Sequence, residues 1–266
     1  MPNPEYAWNA SDYARNSSAQ FGWATELIQK LELKGHERIL DVGSGSGRVT
    51  AALAAEVPEG TVVGIDSSPD MVDLAAGAFP PADHPNLDFR CLDARELSFA
   101  GEFDVAFSNA TLHWVRDHPA VLRGIRRSLR DDGRTLLQMG GTGNAAGIIA
   151  VMDRVRVALR WRRYFQGFTF PYAFYGPDDY AAWLPDANLK PLRIELIPKD
   201  MVHQGREELA GWIRTTWLPY TGRVPDERRE TFIDEVLEIY LAFVPLDEEG
   251  QTHVRMVRLE VEAVPD

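Results

Sequence analysis

The stretch ILDVGSGSGRVTAALA, Ile39 to Ala54, sets Gly43, Gly45 and Gly47 on alternate positions between an apolar run and an alanine-rich segment. In a strand that turns into a helix, Gly43 permits a tight turn, Gly45 lets main chain approach a ligand, and Gly47 lets the helix pack close to the sheet. A plain strand-to-helix turn can carry the same pattern, so the neighbouring residues decide. The G-x-G-x-G spacing is not the G-x-G-x-x-G of dinucleotide-binding turns, and the absence of Lys-Ser/Thr excludes a phosphate-gripping P-loop. Asp66 closes the next apolar run in VVGIDSS, 21 residues after Gly45, where one carboxylate can accept both hydroxyls of a ribose. A nucleoside without a pyrophosphate is the expected ligand.

From Gly35 to Gly141 short β-branched runs alternate with helix-like segments. RILDV, TVVGID, LDFRCL, FDVAFSN and RTLLQM read as strands, each followed by room for a helix or crossover. Ala51, Leu53, Ala54 and Val57 give the first helix an apolar face, which Pro58-Glu59-Gly60 stops. Ser68-Pro69-Asp70 opens the next, with Pro69 at the first helical position where its missing donor is harmless. Near-continuous apolar strands separated by helices imply a doubly wound α/β fold around a mostly parallel sheet.

After Gly141 the pattern changes. Ala145 to Phe165 reads as one long helix, and Phe168, Phe170, Tyr172 and Phe174 would share a face of an extended edge segment interrupted by Pro171. LRIELIPKDMV and VRMVRLEVEAV read as strands six and seven, with helices over Glu207–Trp217 and Asp226–Phe243 between them. The expected organisation is an N-terminal helical segment over 1–34, a core over 35–204 and 251–266, and a helical lid over 205–250.

Charge narrows the partners. Acidic residues outnumber basic ones 40 to 28, a formal net charge of −12, which disfavours nucleic acid and anionic membranes because both call for a basic footprint. The lone Cys91 allows neither an intramolecular disulfide framework nor a cysteine-cluster metal site, and no metal is expected. MPNPEYAWNASDYARNSS has neither the apolar core of a signal peptide nor the length of a membrane span, so a soluble cytoplasmic protein, monomeric or homodimeric, is expected.

Taken in order, LDVGSGSG, GIDSSPDMVDLA, CLDARE, FSNATLHWV and LRGIRRSLRDDGRTLLQM resemble the successive motifs of class I S-adenosylmethionine-dependent methyltransferases, over roughly residues 36–141. SNATLHWV and YARNSSAQ are most similar to the group of trans-aconitate, malonyl-carrier and juvenile hormone acid methyltransferases. The resemblance implies a Rossmann-like seven-stranded fold and S-adenosyl-L-methionine as cofactor, with S-adenosyl-L-homocysteine as product. By matched position it sets Gly43, Ser44, Gly45 and Gly47 at the methionine part, Asp66 and Ser67 at the ribose, and Met71 against the adenine face. Asp93 and Ala94 would meet the adenine amino group, with a helix cap or turn residue as the lesser reading of Asp93. Asn109 would lie at the carboxyl edge of the fourth strand. Asp41 either supports the cofactor ammonium through water or braces the glycine loop, and Tyr13 and Gln20 match a segment that covers the methionine carboxylate.

Methyl transfer needs a nucleophile held in line with the methyl group and shielded from water. His113 could deprotonate an amine or hydroxyl, but a carboxylic acid, with a pKa near ~4, is already ionised and needs no base. The resemblance to acid methyltransferases, with no unambiguous general base among the motifs, implies a small-molecule carboxylic acid methylated on oxygen as acceptor, with His113 and Trp114 as catalytic-site residues. The alternatives are an un-ionised N- or O-acceptor with His113 as base, a noncatalytic nucleoside-binding protein, and an NAD-dependent dehydrogenase. His113 and Trp114 also read as a loop pair that only covers the sheet edge. Arg154, Arg156, Arg160, Arg162 and Arg163, with Arg214 and Arg223, offer either carboxylate anchors or a solvated face.

Overall fold

A computed structural model describes residues 18–266, with side chains described from residue 21. Tyr13, the Gln20 side chain and the first half of the 1–34 segment lie outside the described residues. The chain runs α1 (Ser18–Lys30), β1 (Arg38–Val42), α2 (Arg48–Glu56), β2 (Thr61–Asp66), α3 (Pro69–Ala78), β3 (Leu87–Cys91), β4 (Phe103–Asn109), α4 (His118–Ser128) and β5 (Leu129–Gly140). It continues through α5 (Ala146–Arg156), α6 (Pro177–Asp186), β6 (Leu189–His203), α7 (Gly205–Thr216), α8 (Leu218–Thr221), α9 (Asp226–Phe243) and β7 (Thr252–Pro265).

The sheet has the order β3-β2-β1-β4-β5-β7-β6, parallel from β3 to β5, with β7 antiparallel to β5. Strand order reverses between β1 and β4, and such a switch point opens a crevice beyond the carboxyl ends of the strands. Both faces are covered, which is why the strands read as near-continuous apolar runs. Leu40, Val42, Ala106, Leu137 and Met139 pack with Val121, Leu122 and Ile125 of α4 and Tyr180 and Leu184 of α6. Ile39, Val62, Val105, Phe107 and Leu136 pack with Leu27 and Leu31 and with Leu53 and Ala54 of α2. The Ser68 hydroxyl caps α3, accepting from Met71 N, with Pro69 in the first turn.

Glu260 on β7 is fully buried on the same sheet. It accepts from Lys30 Nζ at 2.7 Å, Gln138 Nε2 at 2.8 Å and Arg193 Nη2 at 2.5 Å. Burial alone would raise its pKa, but these bonds outweigh it and hold the carboxyl below its ordinary value.

Two compact units divide the described chain. The larger comprises Gln20–Thr142, Tyr172–Ile197 and Arg258–Asp266, and the smaller takes in Gly143–Pro171 and Pro198–Val257. In the smaller unit α9 packs on α5 and α7, around buried Trp161, Phe165, Trp212, Tyr220 and Phe232. The long helix expected over Ala145–Phe165 stops at Arg156 and resumes only as a single 3-10 turn at Arg162–Phe165. The break turns Trp161 into the core, where its indole N–H donates to Glu235. The aromatic stretch after Gly167 is irregular chain and forms no edge strand, so its members fall in both units. None of the described helices is long and apolar enough to cross a membrane.

In the smaller unit His253 Nδ1 lies 2.6 Å from Asp200 Oδ2 and Nε2 lies 3.0 Å from Asp247 Oδ2. The Asp247 and Asp200 carboxylates raise the imidazole pKa above its ordinary value. A raised histidine pKa gives stability that is fully present below the unfolded-state pKa and is lost as pH rises through the folded one. His253→Gln should therefore lower the melting temperature more at pH 6 than at pH 9. Equal losses at both pH values would show that the paired charge adds nothing.

Candidate active site

The glycine turn is folded by β2. Gly43 N and Ser44 N both donate to Ile65 O at 2.8 Å, and Gly45 N donates to Asp66 Oδ2 at 3.0 Å. Each glycine answers a different steric demand. Gly43 has φ +90°, and a Cβ there would lie 2.0 Å from Thr111 Cγ2. Gly45 has φ +52° and open space where a Cβ would be. Gly47, at φ +82°, is pressed on by Phe89, Ala75 and Phe79. Asp66 also accepts from Ser68 N at 2.9 Å, so both of its oxygens are held by backbone donors. Burial raises its pKa against the pull of these bonds.

Asp41 is buried at the end of β1 and accepts from Thr50 Oγ1 at 2.8 Å, tying the strand to α2. Burial pushes its pKa up to about 7, with the Thr50 bond opposing and the Asp66 charge adding. The Ser44 hydroxyl is buried without a hydrogen-bond partner among the described residues. Ser67 is exposed after β2, and Met71 is half-buried in the first turn of α3. Asp93 caps the turn Ala94–Glu96, accepting from Arg95 N at 2.9 Å, and pairs with the Arg95 guanidinium at 2.5 Å. That hydrogen-bonded guanidinium, ahead of the opposing effect of burial, lowers its pKa. An adenine amino group at Asp93 would share the carboxylate with Arg95.

Asn109 closes β4, and Thr111 two residues on was not singled out by the sequence. Its Oγ1 donates to Gly43 O at 3.0 Å, linking the ends of β1 and β4. Ala110 between them has φ +55°, a left-handed kink that a small side chain tolerates better than a branched one.

His113 lies among rings of the larger unit: Tyr172 at 5.6 Å, Phe174 at 5.9 Å and Trp114 at 6.0 Å between centroids, with Trp114 edge-on to Tyr172 at 4.4 Å. Gly140 N donates to His113 Nδ1 at 3.4 Å, and Ala173 N donates to His113 O at 2.8 Å. An Nδ1 that accepts leaves the neutral imidazole's proton on Nε2. Burial, with smaller contributions from the Arg258 and His118 charges, pushes the His113 pKa down to about 3.

His118, also missed in the sequence, holds this turn from beneath. Its Nε2–H donates to Leu112 O at 2.8 Å, and its Nδ1 accepts from Tyr180 Oη at 2.7 Å. Burial lowers its pKa below the ordinary histidine value.

The arginines singled out in the sequence lie in the smaller unit. Arg156 pairs with Asp153, Arg160 with Glu235 and Arg214 with Glu230, while Arg154, Arg162 and Arg163 are exposed. Arg223 and Arg156 stand over the Phe168 ring, at 5.4 and 4.8 Å.

The profile of a methyltransferase domain matches residues 39–133. An uncharacterised methyltransferase of Schizosaccharomyces pombe is 32% identical over 74% of this chain and 75% of its own length. A trans-aconitate 2-methyltransferase of Deinococcus radiodurans is 31% identical, covering 85% of this chain and 87% of its own. Among solved structures, the geranyl diphosphate C-methyltransferase of Streptomyces coelicolor in complex with S-adenosyl-L-homocysteine has a TM-score of 0.57 at 15% identity, covering all of this chain and 88% of that one. At that identity the likeness is one of fold.

Proposed function

The chain belongs to the S-adenosylmethionine-dependent methyltransferases, and from that premise we propose that it methylates a carboxylate oxygen of a small organic acid. The observation that carries the acceptor class is the state of His113. Its Nδ1 is taken by Gly140 N–H, its proton sits on Nε2, and its pKa lies at about 3. Such an imidazole can donate a hydrogen bond but is a poor proton acceptor at neutral pH. An acceptor that arrives ionised fits this site. The trans-aconitate methyltransferases among its relatives point to the same class.

The residues present fit the cofactor. Gly45 borders open space, the Ser44 hydroxyl lies buried at its side, and the Asp66 oxygens keep lone-pair capacity beyond their backbone donors, as two ribose hydroxyls would require. Met71 is within the same stretch after β2 and would flank the base, with Asp93 and Ala94 at its amino edge and Asn109 across the switch point. When bound, S-adenosylmethionine supplies an electrophilic methyl whose transfer to a carboxylate oxygen leaves neutral S-adenosylhomocysteine and moves no proton.

The protein's task is therefore orientation and exclusion of water. His113 Nε2–H would hold the reacting carboxylate by one oxygen, leaving a lone pair of the other for bond formation. Trp114, Tyr172 and Phe174 would supply an apolar wall that limits hydration of that nucleophile. His118 and Tyr180 act on Leu112 and so position the Leu112–Trp114 turn without meeting substrate.

The test is the pH dependence of kcat with an acid acceptor under conditions where methyl transfer limits the rate. The profile should be flat from about pH 5 to 8, and His113→Asn should lose less than about 10²-fold, whereas loss of a required base costs about 10²–10⁴-fold. An acidic limb near pH 6.5 that disappears in His113→Asn would favour an un-ionised acceptor and overturn the carboxylate reading.

A further inference from the structure

Strand β6 forms one edge of the sheet: it pairs with β7 on one side and, among the described residues, with no strand on the other. Its residues 189–197 belong to the larger unit. An edge strand offers a row of N–H and C=O groups to another chain, and proteins usually blunt it by keeping it short, charged or bulged. β6 runs for 15 residues, well beyond the usual length of about 5–6. Alternation sets Leu192, Ile194 and Leu196 on one face and Arg193 and Glu195 on the other. Ile194 packs on the core, but Leu192 is 56% and Leu196 37% exposed, and the Glu195 side chain is 55% exposed. Two leucines in water beside open main-chain groups leave this edge suited to pairing.

The residues themselves select the occupant. Read about Ile194, the run Leu192-Arg193-Ile194-Glu195-Leu196 is its own complement in an antiparallel pair. Leu192 then faces Leu196 of the second copy, Arg193 faces Glu195, and Ile194 faces itself, so directly opposed side chains match in polarity and charge. Moving the centre to Arg193 or to Glu195 sets like charges opposite each other, and a parallel pair in register does so twice. A centre between two residues sets apolar side chains against charged ones. One register remains. Arg193 is pinned at this edge by Glu260, at 2.5 Å from Nη2, while its Nη1 reaches its own Glu195 at the longer distance of 3.4 Å. Pro191 and Pro198, which have no N–H to donate, stand at either end of the run and bound the ladder. We propose that a second copy of this chain pairs antiparallel along β6 about Ile194, joining two seven-stranded sheets into one. Such a contact is isologous: it consumes both β6 edges and admits no third copy there. The inference is independent of which acceptor is methylated.

Sedimentation velocity from about 1 to 200 µM should show the wild type passing reversibly from monomer to dimer, with a Kd of about 1–100 µM, as suits a small interface. Glu195→Lys sets a lysine opposite Arg193 of the second copy and should weaken the dimer by at least about tenfold, leaving S-adenosylhomocysteine affinity unchanged. Cross-linking reads the register, and decides the matter if Glu195→Lys does not fold. The exposed Cys91 is the chain's single cysteine, so the background is Cys91→Ser. In it, Ile194→Cys should give a disulfide-linked dimer on mild oxidation, because opposed residues of antiparallel strands lie within disulfide reach. Leu192→Cys and Leu196→Cys should each stay uncross-linked alone and cross-link when mixed. A wild type that is monomeric at every concentration would overturn the pairing and leave the edge to a different chain. So would a dimer that Glu195→Lys leaves intact, or cross-linking of Leu192→Cys alone in preference to Ile194→Cys. Species larger than a dimer would overturn the closed two-fold.

Discussion

Gly43→Ala should leave a protein that melts well below the wild type and is not rescued by S-adenosylhomocysteine. Two independent penalties meet at this position. The backbone has φ +90°, where a Cβ is strained by about 1–2 kcal/mol. The added Cβ would also lie 2.0, 2.2 and 2.4 Å from Thr111 Cγ2, Oγ1 and Cβ, far inside van der Waals contact. Thr111 cannot swing away without losing its bonds to Gly43 O and Asn109 O, so the turn after β4 must move with it. A loss of about 3–5 kcal/mol is expected, the range of a severe overpacking defect. Thr111→Ala should rescue little, because the threonine Cβ is itself in the way, whereas Thr111→Gly should restore part of the stability. Gly45→Ala is the control: its Cβ would meet nothing within 4 Å, so folding should suffer mildly while cofactor affinity falls. A Gly43→Ala protein with wild-type melting and affinity would show that the turn is far more pliable than its packing indicates.

Asp66→Ala should weaken S-adenosylhomocysteine binding by about 10²–10³-fold, measured by calorimetry, since hydrogen bonds to a charged group are worth about 1.5–3 kcal/mol each. The variant also frees Gly45 N and Ser68 N, so part of the loss would come from a loosened loop. Asp66→Asn separates the two effects. It keeps one acceptor oxygen and the shape of the side chain, and should lose about tenfold. Thermal shifts provide the second measure: ligand at 100 times Kd stabilises the wild type by about 2.7 kcal/mol, and in Asp66→Ala that stabilisation should fall to about 0.4 kcal/mol or less at the same concentration. Full affinity in Asp66→Ala would remove this residue from the ribose site.

The strands and the glycine turn were readable because their signals are local. RILDV and TVVGID are continuous apolar runs bounded by Gly, Pro and Asp, and the alternate glycines each fit a demand that geometry imposes on neighbouring residues. The end of the long helix was not local. Val157 to Phe165 keeps good helix formers, and what breaks the helix is the burial of Trp161 against α9, more than seventy residues away in sequence. The aromatic stretch had no periodicity to settle, because Tyr172 and Phe174 go to the rings around His113 while Phe168 packs on Tyr220. The burial of Arg258 on β7 was hidden for a related reason. In VRMVRLEVEAV an alternating charge reads as the solvent face of a strand, yet here both faces are covered from residue 258 to 261. Its stacking partner, Trp23, comes from the other end of the chain. His118 gave no signal at all, since its role depends on a tyrosine 62 residues on.

The buried carboxylate of Glu260 carries an evolutionary consequence. Removing one partner from a buried, hydrogen-bonded charge costs about 3–5 kcal/mol, whereas exchanging the whole set for apolar groups can be nearly neutral. Positions 30, 138, 193 and 260 should therefore drift in concert. Across relatives, a lineage that lost the acid would be free to lose both cations, and one that kept it would be bound to keep them. Helix α1 and strand β7, whose Lys30 and Glu260 stand 230 residues apart in sequence, would inherit their changes together.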